Sequence, residues 1–161
     1  MKNFIMIIGL TLFSTFSFAQ NNVQELINQY KGHDDVDVIS ISGSMFKFGS
    51  NFIDEDDKDA KAAKDIANQI DEMNIITTDS SERGNELSEV IQKLIRTKNY
   101  EEMMTVDSEG EEVKFYGKIE NNIIKEFFIL VEENRETTLI SMSGNIDPKQ
   151  VSEVMKKAEI N

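Results

Sequence analysis

After Asn99 the spacing of apolar residues changes from a 3.6-residue period to a 2-residue period, and no all-helical or all-strand fold accommodates both. Upstream of the switch the stripes are helical. Val23, Leu26, Ile27 and Tyr30 share one face of a short helix that Asn22 can cap, and Gly32 suits the left-handed position past its end. Asp54 to Asn74 carries Ala60, Ala63, Ile66, Ala67, Ile70 and Met73 on one helical face. Leu87, Val90, Ile91, Leu94 and Ile95 stripe a third helix, capped by Asp79 or a neighbouring Ser. Between these helices lie two strand-like segments, Val36 to Ser42 and Asn74 to Thr78.

Downstream of the switch, Tyr100 to Val106 opens a run of strands. Val113, Phe115, Gly117 and Ile119 alternate with Lys114, Tyr116, Lys118 and Glu120, so one face is drier than the other. Ile123 to Val131 ends apolar on both sides, the mark of a central strand, and Thr137 to Gly144 returns as a fourth. Ser108-Glu109-Gly110, Glu120-Asn121-Asn122 and Glu132 to Glu136 supply the turns. Asp147 then caps a last helix, with Pro148 in its first turn and Val151, Val154, Met155 and Ala158 on one face. The pattern predicts an α+β domain: an N-terminal helix/strand alternation, a four-stranded antiparallel meander and a C-terminal helix, with the helices mainly on one face of the sheet.

The first nineteen residues differ from the rest. Lys2 gives a positive start, Phe4 to Phe18 is apolar apart from Gly, Ser and Thr, and Ser17-Phe18-Ala19 places small residues at the -3 and -1 positions. This layout predicts a signal peptide cleaved after Ala19, leaving 20–161 as a single domain with no stable membrane anchor, either periplasmic or secreted. Thirty acidic residues against 17 basic ones give a net charge of -13, and loss of Lys2 takes it to -14. Such a chain lacks the concentrated basic surface that nucleic acids require, and it is repelled by anionic headgroups. With no Cys, disulfides, thiolate sites and an N-terminal lipidated Cys are excluded. A single His leaves little room for a catalytic triad or a multi-His metal site.

Four features bear on chemistry. Asp54-Glu55-Asp56-Asp57-Lys58-Asp59 could ligate Ca2+, but Lys58 falls at the fifth loop position and Asp65 at the twelfth, so favourable interaction with a helix start is the better account. Asp107, Glu109, Glu111 and Glu112 surround a turn, where carboxylates ordinarily keep an edge solvated. His33 beside Asp34 and Asp35 reads as a solvated loop. Neither Ser42-Gly43-Ser44 nor Ser141-Met142-Ser143-Gly144 reproduces a nucleophile elbow, and no phosphate-binding glycine loop occurs, so no cofactor is expected. The remaining feature is apolar. Met45, Phe46, Phe48 and Phe52 form a helical turn or a packed loop, with core filling as the usual role of such a run and a partner or hydrophobic-ligand surface as the alternative.

The strand Val38 to Ser42 followed by Met45, the segment Tyr100 to Met104 opening the meander, and Ile140 to Asp147 before the last helix together resemble an exported domain-of-unknown-function family, numbered 4252, of Bacteroidetes-type bacteria. The resemblance implies export and one α+β domain, and it carries no catalytic residue. Many members look like lipoproteins, from which this chain departs by lacking Cys. Taken together, the expectation is an exported, non-catalytic binding or protein-interaction module of the bacterial cell envelope, with an envelope protein as partner, working through a sheet face or the Met45 to Phe52 region. A small carboxylate- or metal-dependent hydrolase using Asp54 or Asp107 is the alternative.

Overall fold

The computed structural model describes residues 23–53 and 58–152. The predicted signal peptide, the Asn22 cap, the Asp54 to Asp57 run, and Val154, Met155 and Ala158 of the last helix lie outside the described residues. In chain order the elements are α1 (Val23–Tyr30), β1 (Asp37–Ser42), α2 (Gly43–Ser50), α3 (Lys58–Ala67), β2 (Ile70–Thr78), α4 (Ser81–Thr97), β3 (Glu101–Ser108), β4 (Glu111–Glu120), β5 (Ile123–Glu133) and β6 (Thr137–Ile146). A further helix, α5, begins at Pro148.

The chain is α+β, and all six strands form one antiparallel sheet in the order β1-β2-β6-β5-β4-β3. The predicted four-stranded meander is its β3 to β6 portion, because short turns leave consecutive strands no partner but each other. Asn121 and Asn122, both with positive φ (52° and 61°), close the β4–β5 hairpin as a two-residue turn whose twist matches the strands. The first two strands extend that meander: β2 lies beside β6, pairing Ile75 with Ile140 and Ile76 with Leu139, and β1 forms the outer edge.

Two expectations are corrected. The helix predicted over Asp54 to Asn74 stops at Ala67, and Ile70 and Met73 belong to β2, which is nine residues long. The stretch Ile75-Ile76-Thr77-Thr78 is β-branched throughout, so it favours the strand, and pairing on both sides extends that strand back through Asn74 to Ile70. The helices also cover both faces of the sheet. On the first face, Leu26, Ile27 and Tyr30 of α1 and Leu87, Ile91 and Leu94 of α4 pack on Ile76, Tyr116, Phe128, Leu130 and Leu139. On the second, Phe46 of α2, Ile66 of α3 and Val151 of α5 pack around Ile70, Ile124, Phe127 and Ile146.

That second cluster depends on irregular pairing. Ile124 and Phe127 are three apart and would face opposite ways in a regular strand, but the register slips between Ile124 and Glu126 and brings both to one side. A matching slip between Ile70 and Glu72 does the same for β2. Beside it, Gly144 passes so close to Gln69 that a Cβ there would lie 2.1 Å from the Gln69 carbonyl oxygen. Only glycine fits. The turn out of β6 ends at Asp147, whose carboxylate accepts from Lys149 N–H at 2.9 Å and caps α5 as expected.

Candidate interaction surface

Helix α2 leaves β1 directly. A Cβ on Gly43 would lie 2.7 Å from the Ile70 carbonyl oxygen, so the helix starts hard against β2. Gly43, Phe46 and Ser50 point inward, and the Ser50 hydroxyl bonds to Lys47 O (2.9 Å) and Asn68 Oδ1 (3.1 Å), fastening the helix end to the α3–β2 connection. Their spacing leaves Met45, Phe48 and Phe52 on the outside, 60%, 59% and 74% exposed. The Phe48 and Phe52 rings meet edge to face with centroids 5.1 Å apart. The aromatic run is thus a helix that splits in two. Phe46 fills the second cluster, while Met45, Phe48 and Phe52 form an exposed apolar stripe.

The same face of the sheet continues beyond the helices. Strand pairing aligns Ile39, Ile75, Ile140, Ile129, Phe115 and Met104 in one row across all six strands, and Thr77, Thr138, Val131, Val113 and Val106 in the next. Ile39 and Val106, at the two edges, are 53% and 44% exposed, and the residues between them are half-buried. Phe115 and Ile129 of the first row also pack against the second cluster.

The first face differs where its helices stop. α4 lies over β2 and β6, and the β4 and β3 positions on this face beyond them include Glu112, Lys114, Lys118, Glu102, Thr105 and Asp107. Between α4 and β4–β5 runs a groove of about 490 Å3 lined by Ser88, Gln92, Arg96, Lys114 and Glu132. In it the Ser88 hydroxyl donates to Glu132 Oε1 at 2.6 Å, and Lys114 Nζ reaches Glu112 at 2.7 Å and Glu132 at 3.4 Å. Desolvation lowers the Lys114 pKa, but its bond to Glu112 and the charges of Glu132 and Glu112 outweigh that and raise it overall. A lysine held in its charged form is no general base for Ser88, so the trio reads as a brace between strands.

Of the four carboxylates singled out at the β3–β4 turn, three gather and Glu109 does not join them. Asp107, Glu111 and Glu112 line a cavity of about 410 Å3, joined by Glu132 and Glu133 from β5, a contribution that sequence spacing gave no means of seeing. Among the described residues no group of three or more acidic, His or Cys side chains is arranged to hold a metal. His33 sits in the exposed turn after α1, and the neighbouring Asp35 carboxylate turns to Arg83 at 3.5 Å. Across the first face, Tyr100 donates to Glu126 at 2.5 Å and Lys118 bonds the other Glu126 oxygen at 3.2 Å. Burial, then the Glu126 bond and charge, push the Tyr100 phenol well above its usual range. Tyr100 also packs its ring 4.9 Å from Phe128, which marks the group as structural.

Residues 30–154, most of the chain, match a family model described as Domain of unknown function (DUF4252). No curated protein and no solved structure matches the chain. The segments that carried the resemblance occupy β1, the entry to β3, and β6 with its exit to α5, and Met45, which follows the first of them, lies on α2.

Proposed function

Because the chain belongs to the DUF4252 family, which brings no assigned activity with it, we propose on the chain's own geometry that it is an exported, non-catalytic protein-interaction module of the bacterial cell envelope. The observation that carries this reading is the α2 stripe: Met45 and Phe48 of the helix, with Phe52 in the turn just past its end, stand in solvent while the opposite side of the helix is locked into the core. Large exposed apolar side chains grouped in this way mark contact sites far more often than isolated ones do. The predicted signal peptide supports export, and the charged character of the remaining uncovered sheet surface directs attention to the apolar side.

The test is affinity capture of the tagged protein after crosslinking in intact cells, beside the variant Met45→Ser/Phe48→Ser/Phe52→Ser. A stoichiometric envelope protein retained by the wild type and lost from the variant is the expected result. Identical retention by both, or no partner with either, overturns the reading.

A further inference from the structure

We propose that β1 pairs edge to edge with β1 of a second copy of this chain, in a two-fold antiparallel dimer centred on Ser40. The proposal goes beyond the interaction-module reading and stands apart from the α2 stripe.

Among the described residues the sheet has two edges, and they are built differently. β3 carries Glu101, Glu102 and Asp107, and its pairing with β4 slips between Glu102 and Met104. Charge and a bulge are ordinary means of keeping an edge from pairing again. β1 has neither device. Its register with β2 runs unbroken from Asp37 opposite Thr77 to Ser42 opposite Glu72, it contains no Lys or Pro, and its one charge, Asp37, is its first residue. Four of its six residues are exposed, Ile39 to 53%.

Symmetry and charge select the occupant. A two-fold interface must be self-complementary, and directly opposed residues of antiparallel strands share a face. With Ser40 opposite the second copy's Ser40, Ile39 meets Ile41 twice, Val38 meets Ser42, and Asp37 falls opposite Gly43, past the strand end. The two isoleucine pairs form one apolar patch across the join. No charge then opposes a like charge. The two Asp37 residues stand six positions apart along the paired strands, about 20 Å at about 3.3 Å per residue and well beyond the screening length. In 38–53 Lys47 is the sole charged residue, although 29% of the chain is charged, so two copies at net charge -13 meet here with their acidic surfaces turned away. A strongly charged partner strand would find only Asp37 on β1 to answer it. A ladder of six residues is a small interface, so the dimer is reversible.

The experiment is sedimentation of the purified chain from micromolar to millimolar concentration. It should show a monomer–dimer equilibrium that tightens as salt is added, because screening relieves the repulsion between two acidic bodies. Ile39→Lys, which places a charge on the edge, should weaken the dimer at least about tenfold without lowering the melting temperature. The chain has no Cys, so a single introduced one reports a single position. Ser40→Cys should form a disulfide-linked dimer on air oxidation, since directly opposed Cα atoms lie about 4.5–5.5 Å apart, within disulfide reach. Thr105→Cys, on the β3 edge, should not. A chain that stays monomeric at every concentration, a dimer untouched by Ile39→Lys, or equal crosslinking from both Cys positions overturns the proposal. Open-ended polymers do so too, because β1 would then be pairing with β3. The variant Met45→Ser/Phe48→Ser/Phe52→Ser should dimerise as the wild type does, and loss of the dimer in it also overturns the β1 assignment. Partner capture and dimerisation are thus read with different variants, and either reading can fail while the other stands.

Discussion

Gln69 shows how much of this fold is held by single residues outside its regular elements. Its side chain accepts from Asp147 N–H at 2.7 Å and donates to Asp65 O at 3.0 Å, while its carbonyl accepts from Asn145 N–H at 3.1 Å and lies against Gly144. Gly144→Ala should therefore cost about 3 kcal/mol in urea unfolding, because the obstructing atom is backbone and cannot rotate away. Asp147→Ala should cost about 1 kcal/mol by loss of the α5 cap. Tyr100 gives a pH prediction. Its phenol titrates higher folded than unfolded, so the stability it contributes is full below about pH 10 and is lost as pH rises beyond that. Alkaline unfolding should be shallower in Tyr100→Phe, as followed by circular dichroism between pH 9 and 12. The Asp147 cap was legible in the sequence, since Asp followed by Pro before an apolar stripe has few other meanings. The Gln69 network was not, because the partner that ties it to the α5 cap, Asp147, lies 78 residues downstream.

Helix α2 is the element on which the functional reading turns, and its two sides make opposite predictions. Met45→Ser and Phe48→Ser should change stability by no more than about 0.5 kcal/mol, because neither side chain leaves water on folding to any large extent. Phe46→Ala should cost about 2 kcal/mol, measured in the same melts, because it empties part of the second cluster. The amphipathic stripes of α1 and α4 and the alternation of β4 revealed those elements, since one buried face leaves a clear period. α2 has eight residues and Phe or Met on both sides, so its pattern did not distinguish a turn from a loop. The boundary between α3 and β2 was hidden for a related reason: Ile70 and Met73 satisfy a helical period with Ile66 and also serve as strand residues, and only pairing with β1 and β6 decides between them.

At the scale of the whole molecule, the meander followed from short turns, whereas the placement of β2 beside β6, with β1 outside it, joins residues as far apart as Ile70 and Gly144 and left no local trace. That placement makes the sheet wide enough to carry helices on both faces. The net charge of -13 also acts at this scale: self-repulsion opposes compaction, so added salt should raise the melting temperature at neutral pH, which differential scanning calorimetry would record. The central claim is that the α2 stripe forms the contact surface. Its most direct test is a photo-crosslinking amino acid placed singly at Phe48, at Met45 and, on the first face of the sheet, at Glu102, with irradiation of intact cells. The account predicts one shared crosslinked protein from positions 48 and 45 and none from 102. Equal crosslinking from all three, or crosslinking from 102 alone, would contradict it.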